Sequence, residues 1–185
     1  MKDKKGFSII ELVMVIAILG ILTVVGGSMV IFVTQDLIYS SNVLNMDMLA
    51  NDAMDKIIYG DSLAKGLLFC QQITASTDNS VTFVDQNGKT VIITLNTGTN
   101  KITRTINGSA DNNFLYYSSS SNIALTVGRN AKMFTYYDAN EAVTTTAASV
   151  RRVEINFIAK YKTGNFSNWQ GSIESSSSVN TPKYI

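Results

Sequence analysis

The feature that most constrains this chain is an uncharged apolar run from Leu12 to Val33, 22 residues long, with one carboxylate, Glu11, at its head. At about 1.5 Å per residue a helix of that length spans roughly 33 Å, enough to cross a bilayer. A carboxylate at the edge of such a span is expensive near lipid and marks a functional site. The plain alternative is that its side chain snorkels to the headgroups. Lys2, Lys4 and Lys5 precede the run, and the next charge after it is Asp36. The positive-inside rule therefore keeps the N-terminus in the cytoplasm and sends residues 34–185 across the membrane.

Three readings fit this segment. A secretory signal has a shorter apolar region and a small-residue cleavage site; the run here is too long and no such site follows. A plain single-pass anchor fits the hydropathy but leaves Glu11 without a purpose. The third reading rests on "KKGFSIIELVMVIAILGIL", residues 4–22, which resembles the class III signal of type IV pilins and type II secretion pseudopilins. The resemblance implies a basic leader, residues 1–6, removed by a prepilin peptidase between Gly6 and Phe7. It further implies N-methylation of the new Phe7 amine, with Glu11 as the family's glutamate. Cleavage there would leave a positive amine four residues before Glu11, and positions i and i+4 share a helix face. The carboxylate could offset its own subunit's amine, or meet the amine of a neighbour and set axial register. A buried pair of that kind confers specificity more surely than stability.

The helix is expected to continue beyond the membrane. Met46, Leu49, Ala50, Ala53, Met54, Ile57 and Ile58 recur at one-face helical spacing, and Asp47, Asn51, Asp52, Asp55 and Lys56 take the other side. Gly60 is the expected stop. A helix from Phe7 to Tyr59 would be about 80 Å long, and the outer stripe needs a sheet to cover it. A Met-rich stripe could also line a binding groove, but core packing is the simpler use. Gly20, Gly26 and Gly27 lie in the apolar half. They permit close helix packing; the resemblance also implies a soft point in a packed filament, since each glycine weakens helix by about 1 kcal/mol relative to alanine.

Residues 61–80 read as a connection anchored by Leu67, Leu68 and Phe69. "SVTFVDQNGKTVIITL" reads as a hairpin turning at Asn87-Gly88, with Val91, Ile93 and Leu95 on one face and Thr90 and Thr94 opposite. "KITRTING" gives a third strand, and residues 123–127, 132–138 and 151–161 give three more. In the last, Val153, Ile155, Phe157 and Ala159 alternate with Arg152, Glu154, Asn156 and Ile158. The two "SSSS" runs, 118–121 and 175–178, read as exposed loop or Ser-rich tail. The expected fold class is α+β: a long N-terminal helix, transmembrane half 7–33 and amphipathic half 34–60, packed on an antiparallel sheet in a β-rich extracytoplasmic domain, 61–185. This layout is similar to the soluble domains of minor pilins and minor pseudopilins.

Composition removes several chemistries. The absence of histidine excludes Ser-His-Asp and Cys-His catalysis and His-ligated metals. The single cysteine, Cys70, permits no intrachain disulfide and reads as a small buried residue. A net charge of +1 gives no global case for nucleic acid, and Arg151-Arg152 alone do not make a basic patch. Asp138, Asn140 and Glu141 form a candidate calcium turn, although EF-hand spacing is missing and Asp-Ala-Asn is ordinary turn chemistry. The Tyr116-Tyr117 and Tyr136-Tyr137 pairs are expected to place one ring in the core and one on the surface. No catalytic residue and no cofactor is expected.

The reading is a structural subunit, minor because the family's major secretion subunits are shorter with a smaller sheet. Its implied partners are the prepilin peptidase, other pilin or pseudopilin subunits, the membrane assembly platform and the lipid bilayer. The rival is a permanently anchored extracytoplasmic binding protein that does not assemble.

Overall fold

The helical spacing from Met46 onward produces the helix it predicts. In the computed structural model, which describes residues 8–116, 123–128, 131–161 and 171–181, helix α1 spans Ile9–Ile58. The chain divides into two compact units, Met1–Ser41 and Asn42–Ile185. In the first, every described residue is helical or leads into the helix, and all are exposed.

In the second unit, Met46, Ala50, Ala53, Met54, Ile57 and Ile58 are buried, and Leu49 is partly buried against the same core. The acidic and amide residues take the other side, with Lys56 and Asp52 paired across one turn at 3.4 Å. Gly60 ends the helix at φ +79°, the left-handed conformation that glycine adopts without a Cβ penalty. Its amide donates to the Lys56 carbonyl at 3.1 Å. Space forbids a side chain there as well: a Cβ on Gly60 would sit 2.3 Å from the Ala64 carbonyl oxygen.

Among the described residues nine strands follow. Strands β1 (Cys70–Thr77), β2 (Ser80–Asp85), β3 (Thr90–Asn96), β4 (Lys101–Ile106) and β5 (Ser109–Tyr116) form an antiparallel meander in sequence order. Strands β6 (Ile123–Val127), β7 (Phe134–Tyr137), β8 (Arg152–Tyr161) and β9 (Gly171–Asn180) form a second antiparallel sheet around β8. β9 pairs with β8 along all of Arg152–Tyr161, while β6 and β7 pair with its two halves. A strand has two edges, so β6 and β7 share one of them. The alternation expected in β3 and β8 is present: Val91, Ile93 and Leu95, and Val153, Ile155, Phe157 and Ala159, are buried in the same core as the α1 stripe. Architecture is thus the α+β, pilin-like arrangement expected.

Several local expectations need correction. Residues 61–80 are not all connection, since β1 occupies Cys70–Thr77 after a 3-10 turn at Leu67–Phe69. Of the three anchors only Leu67 is buried; Leu68 and Phe69 are each 38% exposed. At the β2–β3 turn only Gly88 has positive φ, +76°. The Asp85 carboxylate shapes this turn by accepting the Asn87 and Lys89 amides at 2.9 Å each. The left-handed Asn-Gly pair is Asn107-Gly108 (φ +48° and +83°), which closes the β4–β5 hairpin. The serines at 175–178 are not a tail but the middle of β9, paired residue for residue with β8. The other serine run, 118–121, lies outside the described residues.

A buried charge cluster ties the end of the helix to the first sheet. Arg104 on β4 is 2% exposed and lies 4.5 Å over the Phe114 ring. Its Nη2 donates to Asp111 Oδ2 at 2.5 Å and to Asp61 Oδ2 at 2.6 Å. Asp61 Oδ1 accepts the Leu63 and Ala64 amides at 2.8 and 3.2 Å, which shapes the loop after α1. Buried Asp85 holds the other end of this loop, accepting the Lys65 amide at 3.0 Å. The two sheets are joined by Tyr136, whose hydroxyl donates to the Thr77 and Ser80 carbonyls at 3.1 and 2.9 Å.

Burial pushes the Asp61 carboxyl up, but the Arg104 hydrogen bond, the Leu63 and Ala64 amides and the Arg104 charge outweigh it. The folded value therefore lies below the ordinary 3.8. A depressed carboxyl stabilises the fold above its unfolded value and loses that contribution as pH falls through its folded one.

Two outcomes follow for the second unit. A chain beginning at Thr34 keeps all of Asn42–Ile185 and should be soluble, with mixed helix and strand by circular dichroism; a persistently unfolded product would contradict this. In that soluble chain, Asp61→Asn should lower stability at neutral pH by about 1–3 kcal/mol. The gap from wild type should close below about pH 4. A gap that stays constant through acid titration would show that the Asp61 charge contributes nothing.

Candidate functional site

The first unit holds the residues that sequence singled out, and its physics is set by what does not cover it. Ile9, Val24 and Met29 are 82%, 73% and 67% exposed. A helix this apolar, with no part of its apolar stretch buried, is long enough to cross a membrane. Three hydroxyls along its apolar stretch bond within the helix: Thr23 Oγ1 donates to the Leu19 carbonyl, Ser28 Oγ to Val25 and Thr34 Oγ1 to Val30, at 2.7–2.8 Å. Each hydroxyl proton is thus taken without water, as a lipid environment requires. The helix runs unbroken through Gly20, Gly26 and Gly27, where an added Cβ would meet nothing within 4 Å.

Glu11 lies in the first turn of α1. Its Oε2 accepts the Ser8 amide at 2.9 Å, and Ser8 Oγ accepts the Ile10 amide at 3.2 Å. Each residue thereby satisfies one of the amides that a helix start leaves without an intrahelical partner. The carboxylate also sits at the positive end of the helix dipole. The Ser-x-x-Glu spacing that announces this arrangement stands in "SIIE" and was not part of the sequence reading. Gly6 and Phe7 lie outside the described residues.

The other candidates are engaged within the chain. Asp138 Oδ1 accepts the Asn140 and Ala142 amides at 2.7 and 3.0 Å, closing a turn in which Glu141 has φ +60°. Glu141 Oε2 is held by Arg152 Nε and Nη2 at 2.9 and 2.5 Å. Asp138, Asn140 and Glu141 therefore share a turn, while two of their three side chains serve the chain itself. Among the described residues no cluster of three or more His, Cys, Asp or Glu has the geometry to hold a metal.

The Arg152 guanidinium also lies 3.8 Å over the Tyr137 ring, and Arg151 Nη1 donates to the Ala148 and Val150 carbonyls at 3.2 and 2.7 Å. Tyr136 is buried and Tyr137 half-buried, as their alternation in β7 predicts; Tyr117 is outside the described residues. The Tyr137 hydroxyl donates to Glu154 at 2.6 Å, and that bond, with burial, raises the phenol above its ordinary 10. Burial pushes the Cys70 thiol up to about 11, so it stays protonated and unreactive at neutral pH. Cys70 lines a cleft of about 470 Å³ together with Gln71, Gln72, Ala147 and Arg151.

Residues 1–26 match the family model described as "Prokaryotic N-terminal methylation motif". That match supports the resemblance to type IV pilins and pseudopilins, and it points to a structural protein rather than an enzyme. With the exposed apolar helix, it fits a single-pass, membrane-anchored chain. No curated protein and no solved structure matches the chain.

Proposed function

We propose that this protein is a structural subunit, of the minor class, of a type IV pilus or type II secretion pseudopilus. It is made as a precursor in the cytoplasmic membrane, with its N-terminus inside and the sheet domain outside. A prepilin peptidase removes residues 1–6 between Gly6 and Phe7, and the Phe7 amine is methylated. The mature chain then enters a filament through the apolar half of its helix, with other pilin or pseudopilin subunits and the assembly platform as partners. Residues 7–33 serve the membrane and the filament, 34–60 carry the sheet, and 61–185 form the extracytoplasmic domain.

The observation that carries this reading is a methylation motif over residues 1–26 that runs directly into an uncovered apolar helix with one carboxylate in its first turn. A permanent anchor needs the hydropathy but neither the Gly6-Phe7 step nor the glutamate. Such an anchor would keep residues 1–6, so the mass of the mature protein separates the two. Gly20, Gly26 and Gly27 act as the soft point of the helix during packing, since no side chain stabilises it there.

Two substitutions test the proposal at separate steps. A peptidase acting at the membrane surface needs close approach to the backbone before the cut, which a branched side chain obstructs. Gly6→Val should therefore leave an uncut, membrane-inserted precursor; normal-length mature protein from that variant would overturn the processing site. Glu11→Gln keeps size and removes charge. It should be inserted and cleaved normally yet be depleted severalfold from sheared filaments or crosslinked subunit complexes. Incorporation at wild-type levels would remove the register role from Glu11.

A further inference from the structure

Glu11 does not extend freely into the apolar segment. It is tied to its own chain at one oxygen, Oε2, by the Ser8 amide at 2.9 Å. An ionised carboxylate has two oxygens and about four lone-pair sites. One in-chain bond uses only part of that capacity, so the carboxylate can keep it and still accept a second N–H donor. The Ser8 hydroxyl completes the arrangement by accepting the Ile10 amide at 3.2 Å. That bond fixes the backbone of the first turn, and with it the amide that holds Glu11.

Covalent geometry adds a second point. The bond cut in processing precedes Phe7, so the Ser8 amide is a peptide N–H in precursor and mature chain alike. The same tie is therefore available before and after cleavage. It draws the carboxylate back to the amide of Ser8, the second residue after the cut. This is the end of the helix, where an incoming amine can reach it.

We propose that Ser8 is a positioning residue for Glu11. Together they hold the carboxylate at the helix N-terminus, Oε2 on the Ser8 amide and Oε1 available to the α-amine of a neighbouring copy. The inference rests on the assembly role proposed for Glu11. It adds that a residue making no intersubunit contact of its own sets how well the glutamate works.

The test uses the full-length chain in cells, with assembled protein normalised to processed protein in each variant. Ser8→Ala should be cleaved normally but recovered in filaments about fivefold less, the scale expected for a lost serine cap. Ser8→Thr, which keeps the hydroxyl acceptor, should restore assembly. The deciding measurement is the double variant: if Ser8 acts through Glu11, Ser8→Ala adds nothing to the loss already caused by Glu11→Gln. Wild-type assembly of Ser8→Ala, failure of Ser8→Thr to rescue, or losses that multiply in the double variant would each overturn the positioning role. A depleted Glu11→Gln beside an unaffected Ser8→Ala overturns only this inference. Normal assembly of Glu11→Gln overturns the assembly role beneath it.

Discussion

An apolar helix surface must meet an apolar medium, and this one constraint divides the whole chain. α1 is a single element from Ile9 to Ile58, yet its two parts satisfy the constraint differently. From Met46 onward Met46, Ala50, Ala53, Met54, Ile57 and Ile58 fall on one face and are buried with the strands, while Met48 stays exposed. Before Ser41 apolar side chains occur all round the helix and none is buried. A helix apolar on every side is a core or membrane helix, and nothing in the second unit's core includes these residues. The intrahelical hydroxyl bonds of Thr23, Ser28 and Thr34 agree, because none of these three protons needs water.

The transition from helix to sheet is secured by charge as well as by burial. Arg104 brings one buried cation to two carboxylates, Asp61 and Asp111, and stacks on Phe114. Desolvating such a group is costly, and only good geometry with further hydrogen bonds compensates. Here both aspartates are within hydrogen-bond distance, and Asp61 also accepts two loop amides. An apolar trio of the same volume could stabilise the fold as well. It could not specify the path of residues 61–66, because that path is fixed by carboxylate–amide bonds at Asp61 and Asp85. The cluster is therefore best understood as a device of specificity, with stability secondary.

How much of this was legible in the sequence varied with the kind of signal each element sends. The outer part of α1 and strands β2, β3, β4, β7 and β8 announced themselves by period, because each has one buried face and a contrasting one. β9 did not. Its serines have low strand propensity, and what makes it a strand is pairing with all ten residues of β8, a tertiary effect invisible locally. β5 was missed although its turn was in view: Asn107-Gly108 carries the same hairpin chemistry credited to Asn87-Gly88, where Asp85 imposes a different turn. Arg104 had a faint signal, since it shares the inward face of β4 with Ile102. Asp111 lies directly across the hairpin from it, but Asp61 is 43 residues away in the chain. At the N-terminus the leader and glutamate were read, while Ser8 was passed over as filler between them.

The side chains of the second unit fit a structural role. In the second unit the groups with chemical character are used to build the domain. Arg104 and Asp61 hold a loop, Asp85 shapes two turns, Tyr136 joins the sheets, and Arg152 is shared between Glu141 and the Tyr137 ring. Cys70 is buried and protonated. Polar side chains engaged in this way serve the internal geometry of the domain, which agrees with the structural role that the motif points to. What the described chain leaves uncovered is instead a long apolar helix whose first-turn carboxylate has one oxygen tied in place. Those properties agree with the methylation motif over residues 1–26 and with a single-pass, membrane-anchored chain.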